Sequence, residues 1–138
     1  MKKAFLILCC FLLVLGIVGC GQSDIKNDVW SQAVYTEDTE LGKGETTFSV
    51  EVVAEDKSVT FTLHSDKATL GDALLELDLI DGEKGAYGLY VKKVNGITAD
   101  YDVNQCYWGF YKNDESMITG VDATKVENGD TFKIVYTK

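Results

Sequence analysis

The hydrophobic and polar positions of the chain alternate in two neighbouring stretches near its middle. Residues 47–55 place Phe48, Val50 and Val52 on one face, and residues 60–64 alternate again around two apolar side chains. A period of two residues is typical of a strand with one buried face. The polar residues 55–58 between the stretches have a suitable length for a turn. Together these stretches predict a β-hairpin.

A helix is predicted after the hairpin. Thr69 precedes Asp72 by three residues, a pattern that caps a helix by satisfying its free N–H groups. Apolar residues then recur at three- and four-residue spacing, as on one buried helical face: Leu70, Ala73, Leu74, Leu77 and Ile80. This spacing predicts a helix that ends at Asp81-Gly82.

The second half of the chain returns to strand patterns. Residues 87–94 are aromatic and β-branched, and they run into Asn95-Gly96, a strong turn pattern. Residues 106–111 are the most strand-like run, and residues 131–137 predict a last strand after the turn at 127–130. The order of hairpin, helix and strands predicts a single α+β domain with one helix packed on a mixed sheet. A β-grasp (ubiquitin-like) arrangement fits this order best.

The first twenty residues have the pattern of a bacterial lipoprotein signal. Lys2 and Lys3 form a basic start, an apolar run covers residues 4–18, and Gly19 stands directly before Cys20. The run of about fifteen residues is shorter than the roughly 20 that a spanning helix needs, and a short apolar segment behind a basic start is typical of a signal peptide. We expect residues 1–19 to be removed and Cys20 to be lipidated, which anchors the chain on the outer face of the cytoplasmic membrane. A plain secretory signal and an uncleaved anchor are the alternatives.

Composition limits the rest of the chain. Without residues 1–19, 119 residues remain, and the formal charge changes from −9 to −11 because two lysines are lost. Residues 20–45 are polar without a sustained period and predict a lipidated cysteine followed mainly by a tether. Packing of part of this segment on the domain or on a neighbour is the alternative, because it contains Trp30, Val34 and Tyr35. Residues 46–138 suffice for one domain and not for two. An acidic chain without arginine has little means of neutralising phosphates, so we expect no nucleic-acid partner.

Residue types that carry catalysis or bind metals are sparse. After processing, Cys106 is the only cysteine beside Cys20, and His64 is the only histidine. Because no pattern supplies a nucleophile, a base and an orienting group together, we expect no enzyme activity and no required cofactor. Cys106 is interpreted as a small buried hydrophobic residue. Four turn acids have the oxygen chemistry of a calcium site but lack an EF-hand spacing, so solvated turns are the preferred interpretation: Asp100, Asp102, Asp114 and Glu115.

Aromatic residues of the second half have two interpretations. Strand aromatics pack against neighbouring strands in a core, which accounts for Phe110 and one face of its strand. Flat amphipathic side chains next to Gly88 and Gly109 also form a surface that a planar ligand can approach, and Tyr90 and Trp108 are the candidates for this role.

A series of short motifs runs through this half: Thr69-Leu70-Gly71-Asp72-Ala73-Leu74, Tyr87-Gly88-Leu89-Tyr90-Val91, Val94-Asn95-Gly96-Ile97, Tyr107-Trp108-Gly109-Phe110-Tyr111, Gly120-Val121 and Asn128-Gly129-Asp130. In this order and spacing they resemble the DUF4430 family, the transcobalamin-like C-terminal domain of Gram-positive surface lipoproteins. More distantly, they resemble the small β-domain of transcobalamin and intrinsic factor. The resemblance covers roughly residues 46–138.

The resemblance implies a β-grasp domain of the soluble-ligand-binding type. In the animal carriers this domain closes over cobalamin against a larger helical domain, which this sequence does not match. The resemblance therefore implies a corrinoid with a partner protein that supplies the second half of the site, or else a different ligand. The positions that match the carriers' contacts are Tyr87, Gly88, Leu89, Tyr90, Trp108, Phe110, Met117 and Ile118. We expect a surface-anchored protein that binds a soluble ligand, with cobalamin or another corrinoid as first choice. An adaptor that presents a strand edge to a transporter or surface protein is the alternative, and a calcium-binding protein is a second one.

Overall fold

The computed structural model of the chain describes residues 28–138, so the predicted signal peptide and Cys20 lie outside the described residues. Within this range the strands are β1 Thr39–Gly42, β2 Thr46–Ala54, β3 Lys57–Ser65, β4 Ile80–Gly85, β5 Gly88–Val94, β6 Ile97–Thr98, β7 Tyr107–Lys112, β8 Glu115–Ser116 and β9 Thr131–Thr137. The helices are α1 Leu70–Glu76 and α2 Tyr101–Asn104, and two 3-10 turns cover Val29–Gln32 and Val121–Ala123. No helix from residue 28 onward is long and apolar enough to cross a membrane.

Two sheets make up the fold. The large sheet has six strands in the order β1-β3-β2-β9-β7-β8, with parallel pairing between β1 and β3 and between β2 and β9. The small sheet is antiparallel, with three strands in the order β4-β5-β6. The α+β class is therefore confirmed. The expectation of one helix on one sheet is too simple, because β4, β5 and β6 pair with each other and not with the large sheet.

The apolar side chains of the large sheet share one face, as the period of two residues requires. Phe48 and Phe132, from β2 and β9, lie edge to face with ring centroids 6.1 Å apart. Leu70, Ala73 and Leu74 of α1 belong to the same buried core. Fully burying an aliphatic side chain of this size stabilises a fold by about 1.5–3 kcal/mol.

The predicted hairpin and the predicted helix start are confirmed. Strands β2 and β3 pair from Thr46 with Ser65 to Ala54 with Lys57. The hydroxyl of Thr69 accepts a hydrogen bond from the Asp72 N–H at 3.2 Å, so Thr69 is the helix cap. The predicted helix end is wrong, because α1 stops at Glu76 and Asp78 takes a left-handed backbone angle, φ 57°.

The chain before β2 packs on the domain although it falls within the predicted tether. Trp30 is 7 % exposed, and its indole Nε1 donates to the carbonyl of Ala54 at 2.8 Å. The buried Asn95 side chain accepts from the Tyr35 N–H at 2.9 Å and donates to the Tyr35 carbonyl at 2.8 Å. Strand β1 then pairs with β3. From Asp28 onward these residues are therefore part of the folded domain.

Candidate functional site

A cleft opens where the large sheet and the small sheet separate. It has a volume of about 350 Å³ and lies between β5 on one side and β7 on the other, with the chain from Ser116 to Val121 as its third wall. Its lining residues are Leu89, Tyr90, Val91, Tyr107, Trp108, Gly109, Phe110, Ser116, Met117, Thr119, Gly120 and Val121.

Five of the eight candidate ligand-binding residues line this cleft: Leu89, Tyr90, Trp108, Phe110 and Met117. Tyr87, Gly88 and Ile118 are not among its lining residues. Tyr87 lies in the turn between β4 and β5, and the side chains of Tyr87 and Ile118 are fully exposed. The structure therefore brings together the strand residues of the candidate set, whereas Tyr87 and Ile118 project into solvent.

Sequence reasoning missed several wall residues. Tyr107 and Gly109 belong to the strand that was already singled out, and Ser116, Thr119, Gly120 and Val121 form the wall beyond it. The segment from 116 to 121 contains two very short elements and no hydrophobic period, so no pattern in the chain identified it as a wall. Gly120-Val121 was noted only as a family motif.

Trp108 is the most buried aromatic side chain of the cleft, at 5 % exposed. Its ring lies edge to face against Tyr136 of β9, with ring centroids 5.4 Å apart and an interplanar angle of 73°. Within residues 28–138 its indole Nε1 has no hydrogen-bond partner. Buried polar groups are nearly always paired, so this N–H is an exception that calls for a physical explanation.

The edge of β7 that faces the cleft is only partly paired. The Phe110 carbonyl accepts from the Met117 N–H at 2.9 Å, on the side away from β9. Since alternate residues of an antiparallel strand direct their backbone groups the same way, the N–H and carbonyl of Trp108 also point away from β9. Strand β8 pairs only with Tyr111 and Lys112, so within the described chain no strand faces Trp108 on that side.

Asp122 joins two walls of the cleft. Its Oδ2 accepts a hydrogen bond from the Leu89 N–H at 3.2 Å. Gly88 has a left-handed φ of +110°, and a Cβ at this position would lie 2.7 Å from the same oxygen. Only glycine allows the Asp122 carboxylate to approach the hairpin so closely. The wall that contains Val121 is thereby fixed against β5.

The cleft carries no formal charge on its lining residues. At its rim, Lys92 Nζ lies 5.7 Å from the centroid of the Tyr90 ring. The same ammonium group pairs with Glu83 at 3.3 Å and with Asp100 at 3.4 Å. The hydrogen bond to Glu83, followed by that to Asp100, raises the pKa of Lys92 above its ordinary value. Its charge is thus neutralised by carboxylates outside the cleft.

The four candidate calcium ligands lie in two different places. Asp100 caps α2 by accepting from the Asp102 N–H at 3.1 Å, and it also pairs with Lys92. Asp114 lies in the turn between β7 and β8, next to Glu115, and pairs with Lys133 Nζ at 3.1 Å. No group of three or more histidine, cysteine or acidic side chains suited to a metal occurs in the part of the chain that the structure describes.

Cys106 and His64 lie in separate settings. The Cys106 thiol is buried and donates to the Asn104 carbonyl at 3.3 Å. Burial, together with a hydrogen bond to Cys106, raises the pKa of Tyr136 to about 12. His64 lies on β3, with its Nδ1 3.0 Å from the Thr47 hydroxyl and its Nε2 3.6 Å from the Glu40 carboxylate, too far for a hydrogen bond. The structure pairs neither residue with the other.

Comparison with known proteins places the chain in a family. The model of the domain of unknown function DUF4430 matches residues 67–138. A crystal structure of a protein from Ruminococcus gnavus named "putative metal binding protein" is 35 % identical, with a TM-score of 0.64, and the match covers 68 % of this chain and 98 % of that one. Haptocorrin in complex with Cbi is 18 % identical, with a TM-score of 0.48; the match covers 71 % of this chain and only 27 % of haptocorrin. No curated protein matches. The chain belongs to the DUF4430 family.

Proposed function

We propose that this protein is a lipid-anchored, non-enzymatic binding protein that captures a soluble ligand in the cleft between β5 and β7, with a corrinoid as the first choice. The observation that carries the proposal is the cleft itself, which collects Leu89, Tyr90, Trp108, Phe110 and Met117 around one space of about 350 Å³. These residues come from three separate strands or loops. If they served only to form a hydrophobic core, they would not need an open space between them.

The chemistry of the cleft favours an uncharged, partly planar ligand. Aromatic side chains supply flat apolar surface, while the hydroxyl groups of Ser116 and Thr119 supply polar contacts. Small-molecule sites typically combine such apolar walls with a few polar groups in clefts of about 300–1,000 Å³. A corrinoid is larger than this cleft, so one edge of the ring system would enter and the rest would remain available to a partner protein, such as a transporter.

The topology of the large sheet supports a β-grasp assignment for the domain. The first hairpin, β2 and β3, is followed by α1, and the last strand β9 returns to lie parallel beside β2. The helix packs its apolar residues into the same core as these strands. Strand β7 extends the sheet on the far side of β9 and carries Trp108 to the cleft.

The lipid anchor belongs to the proposal as well. Lys2, Lys3, the apolar run and Gly19-Cys20 support cleavage before Cys20 and attachment outside the cytoplasmic membrane. Because the folded chain is already packed at Asp28, only seven residues, 21–27, lie between it and Cys20, and the eight steps of chain span at most about 29 Å. The domain would therefore work close to the membrane surface, where a transporter could receive its ligand.

Calorimetric titration of the protein with cobalamin and cobinamide tests the proposal. Tyr90→Ala is the informative variant, because Tyr90 lines the cleft and its side chain is 42 % exposed, so its removal should little affect folding. Tyr101→Ala is the matched control, since Tyr101 is 59 % exposed and does not line the cleft. We expect saturable binding that Tyr90→Ala weakens by about five-fold or more, equivalent to about 1 kcal/mol, and that Tyr101→Ala leaves unchanged. Absence of heat with both corrinoids would refute the choice of ligand.

A protein-interaction adaptor is the second candidate, favoured by the partly unpaired edge of β7 and by the fully exposed Tyr87 and Ile118. Proteins can add a strand to such an edge. If the protein is such an adaptor, the double variant Tyr87→Ser and Ile118→Ser should abolish binding of the partner protein. Corrinoid titrations should show no heat with either the wild-type protein or the double variant.

A metal-binding function rests on the name of the Ruminococcus gnavus relative. In the described chain, Asp100 and Asp114 are each paired with a lysine, which would have to be displaced by a cation. Millimolar calcium should raise the melting temperature of the protein if this candidate holds. An unchanged melting temperature would remove it.

A further inference from the structure

We propose that the group of the ligand that enters the cleft is a neutral primary carboxamide, bound at Trp108. This inference rests on the proposed function, because it assumes that the cleft is the binding site. It adds the chemical class of the group that is recognised there, and it does not depend on the ligand being a corrinoid.

The first step of the argument is the unpaired donor. Trp108 lines the cleft, is 5 % exposed and has no hydrogen-bond partner for its indole Nε1 among the described residues. Trp30 is buried to a similar degree, yet its Nε1 donates to the Ala54 carbonyl at 2.8 Å. A buried N–H without an acceptor is costly, so a ligand that brings an acceptor oxygen to Trp108 gains more than one that brings an apolar group.

The second step is the backbone beside this donor. The backbone N–H and carbonyl of Trp108 point away from β9. On that side of β7, strand β8 pairs only with Tyr111 and Lys112 and does not extend as far as Trp108. This edge offers one donor and one acceptor at the same residue. A primary carboxamide carries a carbonyl oxygen and an NH₂ group, so it can accept from an N–H and donate to a carbonyl at once.

The third step excludes an anionic group. A carboxylate would satisfy the donors but has no hydrogen for the Trp108 carbonyl. It would also lose its hydration in a cleft whose lining residues include no cation. Lys92, which lies near the Tyr90 ring, is already paired with Glu83 and Asp100. A neutral amide avoids both penalties.

Nuclear magnetic resonance of the ¹⁵N-labelled protein, kept in solution with a mild detergent, tests this inference. The sequence has two tryptophans, so two indole N–H resonances are expected, and Trp108→Phe assigns them by removing one. Benzamide and benzoate are the probes, because they share a ring and differ in the amide and the charge. We expect benzamide to shift the Trp108 resonance saturably, with a Kd on the order of 1 mM, and to leave that of Trp30 in place. Benzoate should bind at least about ten-fold more weakly.

Three outcomes would overturn the inference: no shift of the Trp108 resonance with benzamide, equal shifts with benzoate, or equal movement of both indole resonances. A stronger effect from N-acetyl-trialanine N-methylamide, which has no primary carboxamide, than from benzamide would also overturn it, in favour of a peptide strand added to β7. The probe comparison uses the wild-type protein, so it stands even if Trp108→Phe folds poorly; Trp30→Phe then assigns the resonances. Binding of cobinamide without any benzamide effect would leave the proposed function intact and remove only the carboxamide assignment.

Discussion

Trp30 provides a strong test of the fold in a segment that the sequence predicts mainly as a tether. The sequence assigns this residue to a tether, whereas the structure buries it to 7 % exposed and bonds its Nε1 to the Ala54 carbonyl at 2.8 Å. If the structure is right, Trp30→Ala removes a core side chain. If the tether interpretation were right, the same change would alter an exposed side chain and have almost no effect on stability.

The structure gives the size of the expected effect. Replacing a buried tryptophan by alanine costs about 3–5 kcal/mol through lost transfer energy and the cavity that remains. Trp30→Phe keeps most of the apolar volume but leaves the Ala54 carbonyl without this donor, which costs about 1–3 kcal/mol. Since a small domain has a free energy of unfolding of about 5–15 kcal/mol, the alanine variant should lose a large part of its stability.

Urea unfolding followed by circular dichroism measures this effect. Val34→Ala is the matched control, because Val34 lies in the same segment and is 66 % exposed. We expect Val34→Ala to change the free energy of unfolding by less than about 0.5 kcal/mol. A loss below about 0.5 kcal/mol for Trp30→Ala as well would refute the packing of this segment and restore the tether.

Three further predictions follow from the contacts of the domain. Gly88→Ala should destabilise the protein by about 1–3 kcal/mol more than Gly129→Ala. Both glycines have positive φ, but only at Gly88 would a Cβ meet the Asp122 carboxylate, at 2.7 Å. Equal losses of the free energy of unfolding in urea would contradict this contact. Thr69→Ala should cost about 1 kcal/mol by removing the helix cap, whereas Thr69→Ser should cost less, and equal melting temperatures for all three proteins would contradict the cap. Burial raises the pKa of Tyr136 from 10.0 to about 12, so between these pH values the folded protein keeps a proton that the unfolded chain loses. The free energy of unfolding should therefore fall as the pH rises from 10 to 12. The fall should be smaller in Tyr136→Phe. Parallel alkaline losses in both proteins would contradict the last prediction.

Local patterns in the sequence predicted the strands with one buried face and the tight turns. The alternation around Phe48 and Val50 gives β2, and Asn95-Gly96 turns the chain with positive φ at both residues. The apolar spacing from Leu70 predicted the helix but ran past its end. Ile80 is buried as helix spacing suggests, yet it is buried as the first residue of β4, because burial alone does not distinguish the two settings.

Long-range pairing could not be predicted from the sequence. Strand β1 is four residues long with an alternating half-buried pattern, and it is fixed by parallel pairing with β3. The candidate site shows the same limit. Leu89 and Trp108 were identified, but the separation of the two sheets that makes a cleft between them depends on where β8 ends and on the contact between Asp122 and Leu89.

The central claim is that the cleft between β5 and β7 is the ligand site, and chemical-shift mapping with dicyanocobinamide tests it most directly. Backbone amide resonances of the ¹⁵N-labelled protein would be assigned and followed during titration. The account predicts saturable shifts that cluster at Leu89, Trp108, Met117 and Thr119, with the β2–β3 hairpin unchanged. Saturable shifts confined to another face of the domain, or no shift at any residue, would contradict it.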